Sequence, residues 1–503
     1  MTVTHDSTGA MPSDDLLTRA QGDPLRPAWH FTSPAGWLND PNGVCTWQGR
    51  HHLFYQYNPE GAFHHRIQWG HAVSDDFLHW TDLPIALEPS DGPDVDGCWS
   101  GVLVASEPPA LVYSGRHGDQ ELPCVAWATD DQLVGWRKSS HNPVVATRPA
   151  GLDATAFRDH CVWREGDQWR MLVGTGIRGV GGCAWLFAST DLENWDDLGP
   201  MVVGDCTGDV EALDWTGTMW ECVDLFHLGD GALGEASGAD VLVFSAWDEG
   251  RTLHPLYLVG RYQDGRFTAK EVHRLDLGRR HAYAPQSYLA PDGRRILWCW
   301  MQEARTDEQM LEAGWCGAMA VPRALTLVDG RIAQAPVREL AALRTDHQAV
   351  ITDQVPLGGE LPIDLAGTQL DLELDMAIAD EGGLSLTLFG APDGERATVL
   401  RLGPIDDDAL QVVLDRAGST TRPGIDTSPL SGVAPVLDGR IALRVLLDRS
   451  SVEVFCNGVS LTARVEPSEG DDHIRLTGQG VVLERLDAWR LSSTEEKGRV
   501  LRP

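Results

Sequence analysis

Three features are scarce in this sequence, and each scarcity excludes a class of protein. No apolar run approaches the roughly 20 residues that cross a bilayer, so we expect no membrane-spanning helix. The ten cysteines occur singly, without a CxxC pair or a Cys/His metal spacing, and free thiols are expected. Basic residues are few: 40 Lys and Arg against 74 Asp and Glu give a net charge of −34, which disfavours nucleic acid and membrane surfaces as partners.

The N-terminal segment, residues 1–27, has neither a basic leader nor an apolar stretch. We therefore interpret it as a flexible segment without a secretory signal, and predict a cytoplasmic protein with reduced thiols. Tryptophan is the most abundant aromatic residue, with 19 Trp against 11 Phe and 7 Tyr. Because Leu and Val would fill a core equally well, one use for these flat rings is contact with sugars.

An internal repeat organises the first part of the chain. A Ser/Thr-Asp pair followed by Trp recurs three times, in 74–80, 129–136 and 190–195. Hairpin turns lie between the copies, and two further turns, Asp264-Gly265 and Asp292-Gly293, continue the series without the signature. Five four-stranded units predict a five-bladed β-propeller over residues 28–335. The alternative is chance recurrence in a chain rich in Trp.

The sequence changes character after the propeller. Residues 336–348 begin with Pro336 and continue with good helix formers, which predicts a linker helix. Alternation of apolar and polar residues returns in 370–375, 384–388 and 445–455, which predicts an antiparallel β-sandwich over 349–493. Residues 494–503 form a charged tail. The predicted fold class is therefore all-β, a five-bladed propeller followed by a sandwich.

Three acidic residues are candidates for catalysis. Asp40 lies among turn formers in WLNDPNG, Asp159 lies in FRDH, and Glu221 lies in MWEC, each in a different unit of the repeat. A solvated turn is the alternative for Asp40 taken alone. If the three carboxylates converge on one funnel, burial and repulsion must raise at least one pKa. A carboxylate nucleophile beside a protonated carboxylic acid is the arrangement that hydrolyses glycosides with retention.

A series of collinear motifs makes this chain similar to the β-fructofuranosidases of glycoside hydrolase family 32, which include invertases, inulinases and levanases. The resemblance runs from about His30 to Arg490 and implies Asp40 as nucleophile, Asp159 as transition-state stabiliser and Glu221 as acid/base. The matching stretches besides those three are FYQYNP (54–59), QWGHA (68–72), CWSG (98–101), YAPQ (283–286) and DRSSVEVF (448–455).

Several polar and aromatic residues of these motifs are expected to bind the sugar. The predicted substrate-binding residues are Asn39, Gln56, Trp69, Trp99, Ser100, Arg158 and Tyr283. Amides and hydroxyls bond sugar hydroxyls, and indole rings stack on the ring and exclude water. We expect Arg158 to keep Asp159 ionised, and apolar neighbours to keep Glu221 protonated.

No cofactor and no metal are expected. His51 and His52 are adjacent on a predicted strand and face opposite sides, so they cannot hold one ion together, and the pair His64-His65 is assigned ordinary polar roles. Cys222 is interpreted as a neutral neighbour of Glu221, since an apolar setting raises the pKa of a thiol.

The sequence departs from the family pattern at His160, near His64 and at His281. These positions are expected to line the pocket or its mouth, so they affect the preference for the leaving group rather than the triad. The expected substrate carries a terminal β-fructofuranosyl unit, as in sucrose or fructooligosaccharides, and the oligomeric state is left open. The alternatives are a fructosyltransferase with the same triad, including one that forms difructose anhydrides, and a non-catalytic fructan-binding protein.

Overall fold

The computed structural model describes residues 11–210, 212, 215–235, 237–351 and 354–494. Residues 1–10 of the predicted flexible segment and residues 495–503 of the predicted tail lie outside this range. In the part of the chain that is described, no helix is long and apolar enough to cross a membrane. All ten cysteines are free thiols.

The later part of the predicted flexible segment is ordered, which differs from the expectation. Helix α1 (Asp14–Gly22) begins at Ser13, whose hydroxyl accepts a hydrogen bond from the Leu16 amide at 3.2 Å. Leu16 and Ala20 are buried in a cluster that includes Trp315 of the propeller. The sequence pattern does not reveal this helix, because only Leu16 and Ala20 mark its buried face.

The predicted five-bladed propeller is confirmed, and its strands follow one another blade by blade. The first blade contains β1 (Gly36–Trp47), β2 (Arg50–Asn58), β3 (Gln68–Ser74) and β4 (Trp80–Leu87). The second contains β5 (Gly97–Val104), β6 (Ala110–His117), β7 (Gln120–Ala128) and β8 (Trp136–Lys138). The third contains β9 (Ala154–Glu165), β10 (Gln168–Ile177), β11 (Gly181–Ser189) and β12 (Asp196–Val203).

The last two blades close the ring. The fourth contains β13 (Met219–Leu228), β14 (Ala239–Asp248), β15 (Arg251–Gln263) and β16 (Arg266–Arg274). A 3₁₀ helix (Arg279–Ala282) leads into the fifth, with β17 (Tyr283–Leu289), β18 (Arg295–Met301), α2 (Asp307–Ala313), β19 (Trp315–Cys316), β20 (Ala318–Met319), β21 (Arg323–Val328) and β22 (Arg331–Pro336). The short β19 pairs in parallel with β1 of the first blade. The first strand of each blade contacts that of the next, and β17 contacts β1.

The repeated Trp signature forms one turn, used three times between the third and fourth strands of a blade. In each copy the indole N–H donates to the carbonyl three residues earlier, Trp80 to Phe77 at 2.9 Å, Trp136 to Leu133 at 3.0 Å and Trp195 to Leu192 at 3.0 Å. The three acceptor residues have positive φ values of 65°, 60° and 66°. In the first copy the turn carboxylate is Asp76 rather than Asp75, because Asp76 accepts the Leu78 and His79 amides. The turn explains why Trp recurs.

The helix that links the two domains is shorter than the sequence predicts. A 3₁₀ helix (Arg338–Leu343) replaces the predicted helix over 336–348, and the chain is already in strand β23 (Arg344–Ile351) after it. The remaining strands are β24 (Val355–Ala366), β25 (Gln369–Gly390), β26 (Thr398–Asp406), β27 (Ala409–Asp415), β28 (Leu430–Pro435), β29 (Ile441–Asp448), β30 (Ser451–Cys456), β31 (Val459–Arg464) and β32 (His473–Leu491).

Two long strands, β25 and β32, join the two sheets of the C-terminal sandwich. Residues 369–376 of β25 pair with β29, and residues 384–388 pair with β26. Likewise β32 pairs with β24 through its first half and with β23 through its second half. The alternating Leu and Val side chains of both sheets form one buried core, as the period-two pattern predicts.

The DRSSVEVF motif lies at the interface between the two domains. Asp448 accepts from His30 Nδ1 and Glu453 accepts from His30 Nε2, both at 2.8 Å. Burial alone would lower the pKa of His30, but these two carboxylates raise it above its ordinary value. Glu453 also accepts from Arg323, which ion-pairs with Asp276 at 2.8 Å. The motif therefore fixes the sandwich against the propeller.

Candidate active site

The first strands of the five blades carry the predicted catalytic and binding residues. Asp40 lies on β1, Ser100 on β5, Asp159 on β9, Glu221 on β13 and Tyr283 on β17. Since these five strands form the inner ring of the propeller, residues that are far apart in sequence meet around its axis. Two hydrogen bonds, described below, join four of these five side chains in two pairs, Ser100 with Asp40 and Tyr283 with Glu221.

Each inner strand is irregular where it carries its functional residue. The pairing with the second strand shifts register beside Asp40, Trp99, Asp159, Glu221 and Tyr283. Asp159, Cys222 and Ala284 have positive φ values of 63°, 50° and 50°. Such conformations cost about 1–3 kcal/mol each in non-glycine residues and occur most often at functional sites. The irregularities redirect side chains that a regular strand would not aim at the axis.

Two side chains hold the Asp40 carboxylate, one at each oxygen. Ser100 Oγ donates to Asp40 Oδ2 at 2.5 Å, and Asn39 Nδ2 donates to Asp40 Oδ1 at 3.1 Å. Asn39 is itself oriented by the Trp37 indole N–H, 2.6 Å from its Oδ1. Burial, together with the charge of Glu221, raises the pKa of Asp40 to about 6, against the lowering effect of the Ser100 hydrogen bond.

Cys222 links Asp159 to Asp40. Its amide donates to Asp159 Oδ2 at 3.0 Å, and its Sγ lies 3.5 Å from that oxygen and 3.7 Å from Asp40 Oδ2. Burial and the surrounding carboxylates raise the thiol pKa well above its usual value, in line with the interpretation of Cys222 as a neutral neighbour. The two aspartates are thus adjacent, with one thiol between them.

The expectation that Arg158 keeps Asp159 ionised is not met. Burial raises the pKa of Asp159 to about 7, and the opposing effect of Arg158 is offset by the charges of Glu221 and Asp40. The physical reason is the direction of the guanidinium, whose Nη2 lies 2.6 Å from Glu221 Oε1. Asp159 lies in the bulge of β9 and its carboxylate accepts the Cys222 amide instead, so proximity in sequence did not mean contact between the two side chains.

Glu221 also differs from its expected apolar setting. Its Oε1 accepts from Arg158 Nη2 at 2.6 Å and from Arg158 Nε at 3.2 Å. Its Oε2 accepts from the Tyr283 hydroxyl at 2.6 Å. The flanking Trp220 is buried and stacks on Phe244 instead of facing the carboxylate. Two polar partners therefore orient Glu221. One of them is Tyr283, which the sequence predicts to be a substrate-binding residue and which here donates a hydrogen bond to the Glu221 carboxylate.

Trp99 and Trp69 occupy two different levels of the site. Trp99 is half-buried, with the guanidinium groups of Arg116 and Arg158 at 4.8 and 5.7 Å from its ring. Trp69 is fully buried and donates its indole N–H to the Trp99 carbonyl at 3.1 Å. Contrary to the expectation of direct sugar contact, the buried Trp69 supports Trp99 from below. Gln56 is similarly buried, with its amide nitrogen 3.2 Å from the Cys98 carbonyl.

The three unusual histidines occupy three different places. His64 is exposed and lies at the mouth of the site, with its ring edge-on to Trp37 and Trp99 at 5.7 Å from each. His281 is not at the mouth: it is buried against the sandwich, with Arg416 Nη1 3.1 Å from its Nε2. His160 is buried beside a cavity next to Asp159, and neither ring nitrogen has a hydrogen-bond partner among the described residues.

The histidine pair on β2 has ordinary structural contacts. His51 stacks on Phe77 with ring centroids 3.6 Å apart, while His52 Nδ1 lies 3.0 Å from His71 Nε2. In the described part of the chain, no three His, Cys, Asp or Glu residues are grouped so that they could hold a metal ion.

Both domains match models of one protein family. The model for the glycosyl hydrolases family 32 N-terminal domain matches residues 30–336, and the model for the glycosyl hydrolases family 32 C-terminal domain matches residues 339–490. The chain belongs to glycosyl hydrolase family 32. The identification made from the motifs is thereby confirmed, and so is the prediction that this family 32 protein is a glycoside hydrolase.

Relatives of the family 32 enzyme match over nearly its whole length. A sucrose-6-phosphate hydrolase of Escherichia coli is 31% identical, covering 94% of this chain and 97% of its own. A fructan 6-exohydrolase of Beta vulgaris is 30% identical, with coverages of 94% and 88%. The solved structure of fructan 1-exohydrolase IIa from Cichorium intybus in complex with 1-kestose is 26% identical, with a TM-score of 0.81 and coverages of 94% and 98%.

One residue at the site of the family 32 enzyme escaped sequence reasoning. Trp247, on β14, places its ring 5.5 Å from the Arg158 guanidinium, which also lies 5.7 Å from the ring of Trp99. No motif marks Trp247; the only signal was the excess of Trp in the composition. Together the two rings hold Arg158 beside Glu221.

Proposed function

We propose that this family 32 enzyme is a retaining β-fructofuranosidase that releases fructose from sucrose or short fructooligosaccharides. One observation carries the proposal: the Cys222 thiol contacts both Asp40 and Asp159, and Glu221 directly precedes Cys222 in the chain. The E. coli relative is named for sucrose 6-phosphate, and the Beta vulgaris relative for fructan. Both names refer to sugars with a terminal β-fructofuranosyl unit, which is the substrate we propose here. A cytoplasmic location stays a prediction.

Asp40 and Glu221 have complementary roles in the proposed reaction. An Asp40 oxygen attacks the anomeric carbon of the fructosyl unit while Glu221 donates its proton to the glycosidic oxygen, and the bond to the leaving sugar breaks. Glu221, now a carboxylate, takes a proton from water, and the water oxygen displaces Asp40 from the anomeric carbon. Fructose leaves with its configuration retained, and Glu221 is again protonated.

Asp159 and Arg158 act on the charge that develops between these steps. The oxocarbenium-like transition state is positive, so the Asp159 carboxylate, fixed by the Cys222 amide at 3.0 Å, stabilises it. Arg158 and Tyr283 hold the two oxygens of Glu221 and fix its orientation toward the leaving group. Trp99 supplies an apolar wall at the entrance.

A panel of sucrose, 1-kestose, inulin, levan and sucrose 6-phosphate, with all products resolved, tests the proposed function. We expect fructose and the shortened or unfructosylated sugar in equal amounts, with sucrose or 1-kestose giving the highest kcat/KM. Transfer products in place of fructose at high sucrose would instead indicate a fructosyltransferase. Binding without any product would contradict the enzyme proposal and favour a fructan-binding protein.

The buried aspartates predict an acid limit to activity. Asp40 must be charged to attack, and its pKa is raised to about 6; Asp159 must be charged to stabilise, and its pKa is raised to about 7. Both groups become protonated as the pH falls, so kcat/KM for sucrose should decline below about pH 7 and fall steeply below about pH 6. A kcat/KM that stays level down to about pH 4.5 would contradict this assignment.

Ser100→Ala provides a directional check on the acid limit. The Ser100 hydrogen bond lowers the pKa of Asp40, so its removal should move the acid limb of kcat/KM to higher pH. Thr155→Val is a matched control, since this hydroxyl lies on the inner strand β9 and donates to the Thr218 carbonyl, not to Asp40. An acid limb that moves equally in both variants would show a general effect of loosening the inner strands.

His64 is predicted to influence the leaving group. Because His64 lies between Trp37 and Trp99 at the mouth, His64→Ala should change the ratio of kcat/KM for sucrose and 1-kestose by about 5-fold or more. His160→Pro, at a buried position away from the mouth, should leave that ratio unchanged if the variant folds. A larger change in ratio for His160→Pro than for His64→Ala would show that the mouth is not where the leaving group is recognised.

A further inference from the structure

A buried glutamate outside the predicted site, Glu121, contacts the residue that holds Glu221. Glu121 lies on β7, is 5% exposed, and pairs across the sheet with Arg116 of β6. Its Oε1 accepts from Arg116 Nη1 at 2.6 Å and from Arg158 Nη1 at 3.4 Å. Its Oε2 lies 3.8 Å from Arg148 and accepts from the Phe157 amide at 3.4 Å. One carboxylate thus faces three guanidinium groups.

Arg158 is therefore a bridge between two carboxylates. One terminal nitrogen faces Glu121, and the other faces Glu221 at 2.6 Å. The rings of Trp99 and Trp247 lie 5.7 and 5.5 Å from the guanidinium. A guanidinium cation shared between two carboxylates stabilises each of them less than it would stabilise one alone. The charge of Glu121 consequently acts on Glu221 through Arg158, although nothing places the two carboxylates in direct contact.

We propose that Glu121 is a positioning residue that weakens the hold of Arg158 on the Glu221 carboxylate and thereby sets the basic limit of the reaction. The inference rests on the proposed role of Glu221 as acid/base. The charge of Glu121 draws one side of the Arg158 guanidinium toward β7, so the Glu221 carboxylate does not have this cation to itself. Without that charge, Arg158 pairs with Glu221 alone and favours its deprotonated form.

The charged and titratable groups around the two carboxylates are few and come from different strands. Glu221 is faced by Arg158 from β9, Tyr283 from β17, Asp40 from β1, Asp159 from β9 and Cys222 from its own strand. Glu121 is faced by Arg116 from β6, Arg158 from β9 and Arg148 from the segment before β9. Arg158 is the one group common to both sets.

The test is the pH profile of kcat/KM for sucrose in Glu121→Gln. Glutamine keeps the shape of the side chain and removes its charge, so the basic limb should move to lower pH by about half a unit to one unit. The matched control is Glu165→Gln, which removes the same charge from an ion pair with Arg170 in the third blade. The control should leave the basic limb where it is in the wild-type enzyme.

A conservative variant and a second substrate make the outcome decisive. Glu121→Asp keeps the charge and should keep the basic limb, even if a shorter side chain lowers kcat. A basic limb that does not move in Glu121→Gln, or that moves to higher pH, would overturn the proposal and leave Glu121 a structural residue. An aryl fructoside with a good leaving group tests Glu221 separately: a wild-type basic limb equally strong on that substrate would count against Glu221 as acid, independently of Glu121.

Discussion

Asp40→Asn is expected to lower kcat on sucrose by a factor of about 10⁴ or more while leaving the fold intact. An amide oxygen cannot form the fructosyl ester, and the Ser100 and Asn39 contacts that hold the carboxylate can still accommodate an amide of the same shape. The measurement is single-turnover and steady-state kinetics on a preparation free of wild-type enzyme, with circular dichroism to verify folding.

The matched control for this variant lies in the same blade. Asp75 is an exposed aspartate whose partner, Arg50, lies 3.1 Å away on the surface, so Asp75→Asn should retain full activity. If Asp40→Asn kept several per cent of the wild-type rate, Asp40 would not be the nucleophile. Asp159 would then be the next candidate, since the same thiol contacts both carboxylates.

Glu221→Gln is expected to affect substrates according to their need for a proton. On sucrose, kcat should fall by about 10³-fold, because glutamine cannot protonate the glycosidic oxygen. On an aryl fructoside with a good leaving group, the loss in the first step should be about tenfold or less, since that oxygen departs without a proton. Burst kinetics on the aryl substrate separates formation of the intermediate from its hydrolysis.

Tyr283→Phe distinguishes loss of the acid from loss of its orientation. The Tyr283 hydroxyl donates to Glu221 Oε2 at 2.6 Å, so its removal should lower activity on sucrose far less than Glu221→Gln does. An equal loss on sucrose and on the aryl substrate in Glu221→Gln would argue against the acid/base role. It would point to Glu221 as a residue that only anchors Arg158.

The repeat and the alternation patterns made the fold predictable. Trp80, Trp136 and Trp195 recur because each closes the same turn, and such a turn leaves a spacing that is visible in one sequence. Alternating Leu residues in β25 and β29 likewise follow directly from one buried face. Helix α1 was missed because its stability comes from packing against Trp315, a contact remote in sequence.

The site residues could be nominated from motifs, but their contacts could not. Asp159 and Arg158 are neighbours in sequence, yet the bulge in β9 sends the guanidinium to Glu221 and leaves the aspartate to the Cys222 amide. Trp69 belongs to a motif of the family, but its ring is fully buried and lies one layer below Trp99. Register shifts and layers depend on the closed ring of blades, which local sequence does not encode.

The most direct test of the account is to trap the fructosyl-enzyme. Glu221→Gln, incubated with an activated fructosyl donor such as β-fructosyl fluoride, should form the intermediate and hydrolyse it slowly, because no base activates water. After acid quench and proteolysis, mass spectrometry should find one anhydrofructose unit on the peptide that contains Asp40. An adduct on a different carboxylate, or turnover of the donor through an inverted product without any adduct, would contradict the account.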